Sequence, residues 1–112
     1  MTGGVPISAP NPFPVIQPTI SSFFTFQAKI AATNVAQQLP YDILVNGVIL
    51  RAKSTNAGKI FMGISSSVNT TDDGTGNGYA IAPGEAMSVS ISNSNLIWVA
   101  GIIGDVLYGS AN

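Results

Sequence analysis

A chain of 112 residues is long enough for one domain with one modest core. It is 46% hydrophobic and only 8% charged, where an ordinary soluble domain carries about 25% charge, and its net charge is -1. That balance excludes a basic surface that attracts nucleic acid by counterion release, and the lack of Cys and His excludes a disulfide framework, a thiolate metal site and a histidine base.

So few charges leave little to hold free copies apart, which points to a protein covered by neighbours in an assembly. No stretch approaches the roughly 18–20 apolar residues of a membrane span. The best run, LIWVAGII at 96–103, is short and contains Gly101. The opening MTGGVPISAP lacks the basic start and apolar core of a secretion signal.

Residues 1–22 form a compositional unit. They hold Pro6, Pro10, Pro12, Pro14 and Pro18, and no charge occurs before Lys29. Proline fixes φ and removes a backbone donor, so neither a helix nor a central strand is expected; an extended arm is. Val5, Ile7, Phe13, Val15, Ile16 and Ile20 give this arm apolar anchors that ordinary disordered tails lack. They are the expected partner-binding residues, seated in a groove of a neighbouring subunit or another protein. The alternative is that the arm covers an edge of its own domain.

From Phe23 the period is two. FFTFQAKIAA places Phe24, Phe26, Ala28 and Ile30 on one face and Thr25, Gln27 and Lys29 on the other. After the polar stretch TNVAQQLPYD, ILVNGVILRAKS reads as a strand broken or bulged at Gly47. TNAG is a turn, and KIFMGIS is the next strand. SSSVNTTDDGTGNG, 65–78, is a surface loop or hairpin tip rich in turn formers. YAIA, the turn PGE and AMSVSIS read as a strand–turn–strand hairpin. SNSN turns the chain again, and LIWVAG and DVLYG read as a last pair joined near IIGD. Short strands at about ten-residue spacing, with no capped helical stripe, predict a single all-β domain over 23–112, a β-sandwich or jelly-roll-like barrel of seven or eight strands.

Each candidate for chemistry has a simpler reading. Glu85 is the only glutamate, beside a Pro-Gly turn, and nothing in the sequence pairs it with a second carboxylate at glycosidase spacing. Asp72, Asp73 and Asn77 offer oxygens, but the calcium-loop spacing is missing, and GTGNG lacks the lysine and helix of a phosphate loop. Serines with Lys29, Lys53 or Lys59 are formally a nucleophile–base set, yet the lysines sit at alternating strand or turn positions. The aromatics Phe13, Phe23, Phe24, Phe26, Tyr41, Phe61, Tyr79, Trp98 and Tyr108 are scattered and read as core or interface anchors. No catalytic residue, metal site or cofactor is assigned.

The stretches GVILRAKSTNAGKIFMGIS and GYAIAPGEAMSVSISNSNLIWVAGIIGDVLYGSAN resemble small β-sandwich virion proteins of tailed bacteriophages. The likeness covers about residues 47–109 and consists of turn chemistry and alternation. It implies a non-enzymatic virion structural protein, such as a capsid decoration (cement) protein, made in the bacterial host cytoplasm and carried on the capsid surface. Its implied partners are the major capsid protein and further copies of itself, with a trimer favoured, and neither nucleic acid nor membrane. The alternative is a receptor- or carbohydrate-binding module of a fibre or spike, with loop 65–78, Tyr79 and Trp98 carrying recognition.

Overall fold

Alternation in FFTFQAK becomes a half-buried strand because its apolar set has a core to face. In the computed structural model, which describes residues 23–112, β1 (Phe24–Lys29) turns Phe24, Phe26 and Ala28 inward and Thr25, Gln27 and Lys29 to solvent. The other strands are β2 (Gln37–Gln38), β3 (Val48–Ala52), β4 (Ile60–Gly63), β5 (Tyr79–Ile81), β6 (Ala86–Val89), β7 (Trp98–Ala100) and β8 (Val106–Ala111). Apart from one short 3-10 turn at Ser94–Leu96, the described residues are strands and their connections.

The strands form two four-stranded sheets, in the orders β1-β8-β3-β6 and β2-β7-β4-β5, with every pairing antiparallel. First pairs with last, second with seventh, third with sixth and fourth with fifth. The chain is thus one long antiparallel ribbon, with its tip at the β4–β5 connection, wrapped into two layers. This is the jelly-roll form of the expected sandwich.

Wrapping overturns two local readings. PGE does not close a hairpin: β5 lies in the second sheet and β6 in the first. The turn is a corner. Gly84 takes the positive φ of 83° that a type II turn needs at its second central position, and the Glu85 N–H donates to the Ala82 carbonyl at 2.9 Å. IIGD likewise leads from β7 to β8 across the layers, so the expected last pair is not hydrogen-bonded as a ladder, while TNAG is the expected turn and carries β3 over to β4 in the other sheet. Among the described residues, the one hairpin between consecutive strands is β4–β5. The polar stretch 33–42 also holds an unforeseen strand, the two-residue edge strand β2. The side chain of Gln37 fixes it there, accepting from Ala31 N–H and donating to the Lys29 carbonyl.

The break expected at Gly47 is present. Its φ is 104°, and a Cβ there would collide with the Val89 carbonyl. Upstream, Ile43 bridges Asn93, one residue out of register with the Val48–Val89 pairing, so β3 continues backward through a bulge.

Between the layers lies one core, built on Ile30, Leu39, Val48, Leu50, Ile60, Ile81, Ile97, Val99 and Leu107. Phe24 and Phe26 stack with centroids 5.7 Å apart and close it along β1. The Phe26 ring lies across its register partner Gly109 so closely that any Cβ would overlap it. Glycine is therefore a packing requirement at this position. Gly109→Ala is expected to cost about 1–3 kcal/mol by overpacking, read as a lower denaturation midpoint with an unchanged slope in urea.

Candidate interaction surface

The acidic residues hold corners together. Glu85 reaches back over the PGE corner and accepts from Ala82 N–H at 2.9 Å, while its own carbonyl accepts from Ala52 N–H. Its carboxylate is a strut of the corner. Asp105 is buried, and its two oxygens accept from Ala57 N–H at 2.9 Å and Gly58 N–H at 3.1 Å. The neighbouring Asn56 amide exchanges two hydrogen bonds with the Val106 backbone, imitating a ladder rung. Together they clamp the β3–β4 turn to the β7–β8 turn. Nothing in the composition marked Asp105; its signal was an acid directly after Gly104 in a turn.

Loop 65–78 is a flap over the outer side of the second sheet. Val68 is buried from it against Phe61, Ala100 and Trp98 in a second small core. Gly63 and Gly78 make room for it: a Cβ on Gly78 would stand 2.8 Å from the Phe61 Cβ and 2.9 Å from a Val68 methyl. Asn77 ties the flap by donating to the Ser67 carbonyl, and Thr70 N–H donates to the Asn34 side chain. The two aspartates act separately. Asp72 pairs with Lys59 at 2.8 Å on the surface, which raises the lysine's pKa through the hydrogen bond and the opposite charge. Asp73 accepts the Thr75 hydroxyl at 2.6 Å and the Thr75 N–H at 3.0 Å, and these bonds hold its carboxyl below the usual range.

Tyr79 and Trp98 do not share a surface. Met62 is in register with both Tyr79 and Val99, and the next rung joins Gly63 to Trp98, so the two aromatics lie on opposite faces of their sheet. Trp98 packs beneath the flap.

The first sheet presents a different outer face. Its outward rows are Thr25–Ser110–Ile49–Ser88 and Gln27–Tyr108–Arg51–Ala86, each running from β1 across β8 and β3 to β6. Neither row contains a carboxylate. Ile49, in the middle of the face, is 53% exposed. A shallow trough of about 610 Å³ runs over Thr25, Gln27, Ile49, Arg51, Tyr108 and Ser110. A second, of about 430 Å³, meets it at Ile49 and Ser110 and extends past Ser88 and Asn112 to Phe23.

At that end of the sandwich lies an apolar row that sequence reasoning missed. Segment 42–44 pairs with 92–94: Leu44 N–H donates to the Ser92 carbonyl and Ser94 N–H to the Asp42 carbonyl. Asn93 fixes the register, its side chain accepting from both Asp42 N–H and Asn95 N–H. Leu44 points into the core, so Tyr41, Ile43 and Val45 point away, at 69%, 70% and 64% exposure. Their alternation was visible in YDILV, but the side left uncovered was not. Phe23 is exposed close by, lining the trough with Asn46 and Asn112. Val5, Ile7, Phe13, Val15, Ile16 and Ile20, with the rest of the arm 1–22, lie outside the described residues. No family model, curated protein or solved structure matches the chain.

Two substitutions separate the carboxylates. Asp105→Ala is expected to lose about 2–3 kcal/mol, since two buried N–H groups lose a charged acceptor, whereas Glu85→Ala at the exposed corner loses less than about 1 kcal/mol; urea denaturation of both variants reads the difference. Asp73 supports the flap only while ionised. Its folded-state pKa is depressed, so its contribution is complete above the ordinary carboxylate range and is lost as pH falls through the lowered value. The Thr75 amide resonance should follow that acid titration, and the Asp73→Ala variant should lack it.

Proposed function

We propose that this chain is a structural protein of a tailed bacteriophage, a capsid cement that binds the major capsid protein and stabilises the shell. The observation that carries the reading is the row Tyr41, Ile43 and Val45 at the end of the sandwich where Phe23 begins the described chain. Three large apolar side chains in one row, each more than half exposed, are an exposed patch of the kind that marks an interaction site. The weak charge of the whole chain fits a surface covered by neighbours. The motif likeness to small phage virion proteins supports the same class. On this reading the row and the distal arm, with Val5 and Ile7, form one contact surface. Buried apolar area stabilises binding at roughly 25 cal/mol per Å², and prolines reduce the cost of ordering the arm.

In the virion, copies sit over junctions between capsid subunits, and repetition over many sites resists the pressure of packaged DNA. The chemistry required is adhesion alone, which matches carboxylates engaged in corners and flap ties. Ile43→Asp combined with Val45→Asp should leave the circular dichroism and melting temperature unchanged and lower co-sedimentation with capsids at least about tenfold, since each charge must be desolvated at the contact. Unaltered co-sedimentation, or purified virions without this polypeptide, would refute the reading.

A further inference from the structure

The two outer faces of the sandwich are treated differently. The flap 65–78 covers one with its own small core. The other carries a half-exposed Ile49 between Ser88 and Ser110, and its trough leads to Phe23, the point at which the preceding 22 residues join the domain. We infer that the proximal part of the arm, residues 13–22, folds back across the outer face of the first sheet of its own chain and covers Ile49.

Reach, chemistry and charge agree on this occupant. Three strand spacings of about 4.8 Å separate β1 from β6, about 14 Å in all. Thr19, four residues before Phe23, reaches about 12 Å at the polyproline rise of ~3.1 Å per residue. The apolar Ile20 thus falls over the centre of the face, at Ile49 and Ser110. A proline-rich segment has more backbone acceptors than donors, because each proline lacks its N–H. The face supplies donors: the Tyr108 hydroxyl, the Gln27 amide and the Arg51 guanidinium lie in one cross-strand row beside the hydroxyls of Thr25, Ser88 and Ser110. An aromatic side chain flanked by donors is how grooves recognise extended proline-rich segments. The arm carries no charge, and the two rows hold Arg51 and no acid. Tethering favours this over capture of another copy's arm, since a short linker holds the segment at millimolar effective concentration. Residues 1–12, with Val5 and Ile7, then extend beyond the sheet edge and remain available to a partner.

The chain has no native cysteine, so paired substitutions in the full chain test this directly. Thr19→Cys with Ser88→Cys, treated with a short bis-maleimide, should cross-link within one chain about tenfold faster than Thr19→Cys with Ser66→Cys on the flap, at a rate independent of protein concentration. Equal rates for the two pairs, or products only between chains that grow with concentration, overturn the proposal. As a second measurement, Ile49→Asp in the full chain should leave the melting temperature unchanged and speed proteinase K cleavage within residues 13–22 about tenfold, because the charge opposes cover by an apolar segment. Unchanged cleavage also overturns it. No capsid enters either experiment, so these outcomes are independent of whether the protein is a cement.

Discussion

The pairing of first strand with last is the constraint on which the rest of the structure depends. β1 meets β8 along six consecutive residues, and β8 in turn meets β3 along five. This closes the wrapped ribbon and brings residues about eighty positions apart into one layer. The fit is specific, because the Phe26 ring needs the bare backbone of Gly109 beneath it. Once this ladder is set, the inward residues of both sheets have no other place to bury their apolar surface.

A wrapped ribbon places its demands on corners. Every passage between layers leaves backbone donors and acceptors without ladder partners, and buried groups of that kind are expensive when unpaired. The polar side chains meet this need: Asp105 and Asn56 at the β3–β4 turn, Glu85 at the β5–β6 corner, Asn93 at the 3-10 turn, and Gln37 where β1 gives way to β2. In a chain with so few charges, these carboxylates and amides are spent on architecture. What remains for interaction is neutral surface, apolar along 41–45 and donor-rich on the outer side of the first sheet.

The trough on the outer side of the first sheet ends at Phe23, where the preceding residues join the domain, and a covered Ile49 would divide labour within the arm. Covering Ile49 with the first half would orient the second, so fewer degrees of freedom would be lost when a large neighbour is engaged.

Sequence alone determined what depends on a few adjacent residues. Alternation named the inward face of β1; Pro83–Gly84 marked a turn; Gly47 marked the bulge; and the lack of a helical stripe set the all-β class. Partner choice belonged to the tertiary structure. A strand's two-residue period is the same whichever strand lies beside it, so YAIAPGEAMSVS looked like a hairpin when it is a corner, and DVLYG was matched to its neighbour LIWVAG instead of to FTFQAK. For the same reason the buried role of Asp105, the packing of Val68 beneath its flap and the exposure of Tyr41, Ile43 and Val45 were not legible: burial is a property of what lies opposite, and only the folded chain brings residues 48 to 50 positions apart into hydrogen-bond contact at Asp105 and Asn56.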